Sequence, residues 1–439
     1  MTDPILHTCE RLEESYTETR LPCGLRVLIC PKDRHTYHAA VSVGYGSMDR
    51  FSGGRTLPMG TAHFLEHKMC ERDPDLYGGS DSFDDDFAAM GAESNAYTSH
   101  DRTVYYFSCT DRFTEGLKAL LSMVSSLYVT PESVARERGI IAEEIRMNAD
   151  DPWERCSAAA RTALFGRHPV REEICGSLSS IRRITPAVLR EAFDTFYRPD
   201  NMILTVCGRV EAEEILATVE SVMAGLPEKE PLPVGITAPR VRVSPAAFTP
   251  RTVAYRQVAK PLFSIGIKIP DVPSEPSALV RLERLASVLS EMLFSRSGDF
   301  YNDLFESGIV SPGMAYGSSL VRPALGETEG YGYFYLSGEC HDPRAVYEAF
   351  LAYVERLRET GLDPAAFARA RRALYADYLY GFDSTEGIAS ALLGSAMDGL
   401  ELFDLPEIAG SLTLAELWDV FDRVFQPSQY TLSSVLPTE

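Results

Sequence analysis

Apolar and polar positions along this chain fall into two successive α/β alternations. The runs from Gly24 to Pro31 and from Tyr37 to Tyr45 are rich in β-branched and apolar residues, which predicts strands, with Asp33 and Arg34 in the turn region between them. Ser94 to Thr98 and Thr103 to Cys109 predict a strand pair, and the helical period predicts helices over about 114 to 128 and 131 to 148. The second half repeats the pattern, with strands over Leu262 to Ile269 and Tyr331 to Ser337 and helices over 343 to 359, 363 to 381 and 413 to 425. Each half therefore reads as α+β, a mostly antiparallel sheet with helices packed on it.

An internal repeat supports two related halves. Thr185 to Pro199, followed by Ile203-Leu204, recurs as Thr413 to Pro427, followed by Thr431-Leu432. At a similar offset the segment beginning at Val134 aligns with that beginning at Phe367, which sets Glu137 over Ala370 and Glu144 over Asp377. The expected fold is two homologous α/β-sandwich-like domains from an internal duplication. Residues 1–225 would form the first domain, 226–250 a linker interrupted by Pro227, Pro231, Pro233, Pro239, Pro245 and Pro250, and 251–439 the second.

Composition changes this picture little. At 439 residues the chain is long enough for two self-sufficient cores. A net charge of −21, from 42 basic and 63 acidic residues, argues against nucleic acid or an anionic membrane surface as partner. The nine cysteines form no C-x-x-C pair and are odd in number, so reduced thiols in a cytoplasm are expected rather than a disulfide framework. The first residues show neither a basic nor an apolar leader segment, and no run approaches 18 apolar residues, so neither export signal nor membrane span is expected.

The chemistry is concentrated in His63-Phe64-Leu65-Glu66-His67. Helical residues four apart share a face about 6 Å apart along the axis, so the two imidazoles can converge on one ion with Glu66 beside them. This order of residues is the inverzincin signature. A catalytic zinc takes three protein ligands and leaves a position for water, so a third must come from elsewhere. Cys70 fails on distance, being about 10.5 Å along the helix from His63, and reads as a packing residue. The helical stretch from Glu132 to Arg146 is the better source: Val134, Ile141 and Ile145 are spaced to bury one face, and Glu137 and Glu144, seven apart, both border it. Glu143 is rotated about 100° from Glu144. The single histidine after residue 225 is His341, so the second half cannot copy the two-histidine site. The acidic run Asp81 to Asp86 reads as a solvated helix face, and Gly44 to Ser47 as a turn.

These residues resemble the pitrilysin, insulinase and mitochondrial-processing-peptidase group of metallopeptidases, most closely its bacterial two-domain branch. The resemblance rests on Gly60-Thr61-Ala62 before His63, on Glu137-Arg138 through Glu144, on Gly91 to Thr98 with Asp101 to Tyr105, and on His168-Pro169 and Tyr197 to Met202. It implies that Glu144 is the third ligand of one Zn2+ per chain, that Glu66 is the general base, and that Glu137 orients a ligand. It also implies that Asn95 and Ala96 hold peptide backbone by adding a strand to the sheet. The activity implied is zinc-dependent endopeptidase on peptides or unfolded segments, as a dimer with an identical or an inactive related chain. The alternative is a metal-binding subunit that is non-catalytic or depends on its partner. One departure favours that alternative: family members carry an Arg and a Tyr in the later half that bind substrate, and here Phe305 stands at the Arg position, with Tyr316 displaced.

Overall fold

The computed structural model describes residues 3–52, 55–225, 244, 246–321 and 330–438, so most of the expected linker lies outside the described residues. The chain forms two compact units. The first comprises Met1–Ile145, Ile174–Ala238 and Leu379–Asp404, the second Arg146–Glu173, Pro239–Tyr378 and Leu405–Glu439. Among the described residues no helix is long and apolar enough to cross a membrane.

The first unit is built on a seven-stranded sheet, in spatial order Ile5–Cys9, Glu14–Arg20, Arg26–Pro31, Met202–Gly208, Tyr37–Val43, Thr103–Cys109 and Glu93–Thr98. One pairing, Arg26–Pro31 with Met202–Gly208, is parallel and the rest are antiparallel. Met202–Gly208 is buried along its whole length, as expected of a strand covered on both faces. Thr385–Met397 packs on it and on Tyr37–Val43, while Phe113–Ser125 packs on Tyr37–Val43 and Thr103–Cys109. Among the described residues Glu93–Thr98 has a neighbouring strand on one side alone, and it alternates exposed and half-buried positions, which leaves its outer edge open.

The second unit carries a five-stranded sheet in the order Arg251–Arg256, Tyr430–Pro437, Leu262–Ile269, Tyr331–Glu339, Ala315–Val321, again with one parallel pair. Helix Pro152–Phe165 packs on its central strands. Local chemistry fixes both ends of that helix: the Asp151 carboxylate accepts from the Trp153 amide at 2.7 Å, and the buried Lys268 ammonium donates to the Leu164 carbonyl at 2.9 Å beneath the Phe165 ring. Ala370 is buried on helix Pro364–Tyr380, the position that the repeat sets against Glu137.

The two-sheet architecture matches the α+β duplication expected from sequence. The contiguous division at 225 and 251 differs from the compact units in two segments, Pro152–Phe165 and Thr385–Met397, whose apolar faces are buried on the sheet built mainly from the other half of the chain. The short outer strands Ile5–Cys9 and Glu14–Arg20 were not expected, because their mostly exposed or half-exposed residues give no clear apolar alternation.

Candidate metal centre

The histidine helix runs from Thr61 to Met69. Gly60 precedes it at φ 84°, and a Cβ at Gly60 would sit 2.5 Å from the Cys175 carbonyl oxygen, so the turn into the helix needs glycine on both counts. Phe64, Leu65 and Met69 are buried without residual exposure and bolt the helix inward. That orientation leaves His63 and His67 on the partly open side, their ring centroids 4.6 Å apart.

The opposing helix, Pro131–Asp150, is fixed by Val134 and Ile141 in the core and by Arg138, whose guanidinium donates to the carbonyls of Ile181 at 3.2 Å and Ile184 at 2.7 Å. It presents Glu144 to both imidazoles: Oε1 lies 3.3 Å from His63 Nε2 and Oε2 lies 3.7 Å from His67 Nε2. One donor atom from each of His63, His67 and Glu144 falls within 4.8 Å of the others, and Glu143 is not part of this group among the described residues. A tetrahedral zinc with bonds of about 2.0–2.1 Å spaces its ligand atoms by about 3.3 Å. The donor set therefore fits zinc in chemistry and in spacing.

Behind this group, Glu137 is buried and its Oε1 lies 2.8 Å from His67 Nδ1. The pairing turns His67 Nε2 toward Glu144 and fixes which ring nitrogen carries the proton. Burial pushes the Glu137 carboxyl up, but the hydrogen bond and charge of His67, with Lys68 nearby, outweigh it and hold it below the ordinary glutamate range. Lys68, fully buried on the same helix, is ion-paired with Glu71. The Glu144 carboxyl is lowered first by its hydrogen bond to His63.

Glu66 is buried beside His67, and its Oε2 accepts a hydrogen bond of 2.6 Å from Thr98 Oγ1 on the edge strand. In the sequence Thr98 has no role beyond its place in the segment Gly91 to Thr98; its contact with Glu66 of the histidine helix is a tertiary relation. Asn95 and Ala96 lie on the same edge strand, the Asn95 side-chain Oδ1 accepting from the Ala96 backbone amide at 2.8 Å. With Glu66, His67 and Cys70 they line a cavity of about 450 Å³. Cys70 lies in that cavity and outside the metal group, and the acidic run is only partly a helix face, since Asp84 to Asp86 open a short helix and Asp86 is ion-paired with the buried Arg72. In the second unit, Phe305 is 44% exposed, and Tyr316, on the edge strand Ala315–Val321, donates to Glu291 at 2.8 Å.

A family model described as insulinase (peptidase family M16) matches residues 27–177, and one described as the peptidase M16 inactive domain matches residues 183–374. The uncharacterized zinc protease YmfH of Bacillus subtilis is 29% identical over 437 residues, covering 98% of each chain. The mitochondrial-processing peptidase subunit beta of Caenorhabditis elegans is 23% identical over 446 residues, covering 96% of this chain and 90% of its own length. The crystal structure of an M16-like peptidase from Alicyclobacillus acidocaldarius superposes with a TM-score of 0.88 at 29% identity, covering 100% of this chain and 99% of that one. A protease from Helicobacter pylori shares the fold, with a TM-score of 0.81 at 20% identity over 97% of this chain and 100% of its own.

Proposed function

The chain belongs to the insulinase family, peptidase family M16, and from that premise we propose that it is a zinc-dependent endopeptidase cleaving peptides or unfolded polypeptide segments. The observation that carries the proposal is the convergence of His63, His67 and Glu144 donor atoms within 4.8 Å, on two helices that also set a buried glutamate beside them.

Zinc held by these three residues would supply Lewis acidity toward a water and a scissile carbonyl. The remaining work belongs to the chain. Glu66, steadied by Thr98, takes the proton of the attacking water and delivers it to the departing amine. Glu137 keeps His67 in one tautomer with Nε2 forward. The open edge of Glu93–Thr98 aligns the substrate as an added strand, with Asn95 and Ala96 nearest the reacting bond. A dimer with an identical or related chain, in a reducing cytoplasm that suits nine free thiols, completes the proposal.

A second reading, a metal-binding subunit that is non-catalytic or acts only with a partner, draws on Phe305, an exposed apolar residue at the position where the resemblance calls for a substrate-binding arginine. Metal analysis and peptide cleavage separate the two. The peptidase reading expects one equivalent of zinc per chain, lost in His63→Ala, and cleavage of quenched peptides by the zinc-loaded protein alone. Stoichiometric zinc without cleavage, restored by a related chain, would favour the second.

A further inference from the structure

Strands Leu262–Ile269 and Tyr331–Glu339 lie side by side in the second unit, and their register sets Ser264 opposite Ser337, Gly266 opposite Tyr335 and Lys268 opposite Tyr333. These rungs share one face of the sheet, since side chains two apart on a strand point the same way. Helix Pro152–Phe165 covers that face and brings Ser157, Arg161 and Leu164, which the helical period sets on one side. Between helix and sheet is a cavity of about 180 Å³. Its floor is bare at Gly266, where a Cβ would sit 2.8 Å from Leu164 Cδ1, and the Tyr335 hydroxyl lies over Gly317, where a Cβ would come within 2.7 Å.

The polar groups around this cavity have protons left to give. Arg161 is 16% exposed; its Nη2 lies 3.2 Å from Glu173 Oε2, while its Nε is buried with no partner among the described residues. Ser337 Oγ donates to Ser264 Oγ at 3.0 Å, which leaves the Ser264 proton unspent. Among the described residues the hydroxyls of Ser157 and Tyr335 have no hydrogen-bond partner either. No carboxylate lines the cavity among these residues. Buried donors without acceptors are costly, so a cavity that collects them is complementary to an anion. Water matches it less well, because each water brings two protons that need acceptors of their own.

Charge and size select the anion. A single guanidinium whose charge is shared with Glu173 suits one negative charge, and Lys268, one rung away, is committed to the Leu164 and Ala246 carbonyls. Burial raises the Tyr333 phenol above its ordinary value against the pull of Arg161, so no phenolate competes for that charge. The volume lies below the about 300–1,000 Å³ of drug-sized pockets, and Ala160, Leu164 and the two tyrosine rings supply apolar wall. We propose that this cavity binds the carboxylate of a small aliphatic acid, with Arg161 Nε and the Ser264 and Tyr335 hydroxyls as its donors. The site belongs to the second unit and stands whether or not the chain is a peptidase.

The test is calorimetric titration of the zinc-loaded full chain with 4-methylpentanoate, its neutral amide and inorganic phosphate, for wild type, Arg161→Gln and Ser157→Leu. Arg161→Gln removes the charge. Ser157→Leu fills the cavity and leaves the Arg161–Glu173 pair intact, so it remains informative if the first variant fails to fold, which melting curves report. The site predicts one equivalent of carboxylate bound with a Kd of about 1 mM or below, the range for a ligand of about eight heavy atoms. The amide and phosphate should bind at least about tenfold more weakly, and each folded variant should lose at least about tenfold. A carboxylate held by the zinc survives both substitutions, and binding of that kind alone overturns the site. No binding, equal binding of acid and amide, or tighter binding of phosphate overturns it too. To identify the source of the acid, acetyl-alanyl-leucine and its C-terminal amide are titrated into the Glu66→Gln chain, with and without Arg161→Gln. Arg161-dependent binding of the peptide acid upholds the site and assigns it to peptide C-termini; binding of 4-methylpentanoate alone upholds it for free acids.

Discussion

Replacing Glu137 should weaken zinc binding without touching a ligand. The Glu137 carboxylate is 9% exposed and sits 2.8 Å from His67 Nδ1, which makes it a charge-assisted hydrogen bond shielded from water. Such bonds contribute about 1.5–3 kcal/mol net, equivalent to roughly 10- to 150-fold, and partners of metal-bound histidines cost about 10- to 100-fold in affinity when removed. Glu137→Gln keeps an oxygen that accepts the Nδ1 proton and loses only the charge, so its effect should fall near the low end, about tenfold. Glu137→Ala frees the ring as well and should approach a hundredfold. The assay is competition between apo-protein and a chromophoric zinc chelator, with melting curves to confirm that each variant is folded. A folded Glu137→Ala that binds zinc within twofold of wild type would refute the argument that this carboxylate orients His67.

Two further outcomes follow from single contacts. Thr98→Val removes the hydroxyl that donates to Glu66 and should lower kcat about tenfold with KM and zinc content unchanged, while Thr98→Ser retains activity; a valine variant with wild-type kcat would show that Glu66 needs no such support. His38, 1% exposed with Nδ1 2.8 Å from Ser108 Oγ, has its pKa lowered to about 4 by burial. Because the unfolded chain takes up that proton near pH 6.5, the contribution of neutral His38 is intact above about pH 6.5 and is lost as pH falls toward 4. Urea unfolding should therefore show a loss of about 2.5 kcal/mol between pH 7.5 and 4.5 from this site, absent in His38→Asn; equal losses in both proteins would contradict it.

What could be read from the sequence was whatever a single helix or strand declares by itself. His63, Glu66 and His67 are legible because four-residue spacing is already a geometry. The strand Thr103–Cys109 and the strand Leu262–Ile269 fall on the ranges expected from their apolar content. Helix Pro131–Asp150 was legible as a carboxylate-bearing face, but its period left both Glu137 and Glu144 open; the resemblance divided their roles, and the folded helix sets Glu137 at His67 Nδ1 and Glu144 at the Nε2 atoms.

Relations between elements were not legible. An apolar helix announces that it will be buried and says nothing of which sheet will bury it, so the placing of Pro152–Phe165 and Thr385–Met397 could not be foreseen. The hydroxyl of Thr98 on Glu66 and the assembly of Cys70, Asp84, Ser94 and Met123 around one cavity arise the same way, from residues whose only link is tertiary. Asp84 illustrates the limit: in sequence it is one of several acids in a polar run, and in the fold it faces a cavity while Asp86 is taken up by Arg72.

Proton transfer by Glu66 at a zinc site is the step on which the proposed peptidase activity rests. Its most direct test is cleavage of a quenched-peptide library by wild type and by Glu66→Gln, purified and loaded to the same measured zinc content. Cleavage by wild type and a loss of at least a hundredfold in the variant at equal zinc are expected. Equal cleavage by both proteins, or none by wild type carrying one zinc per chain, would contradict it.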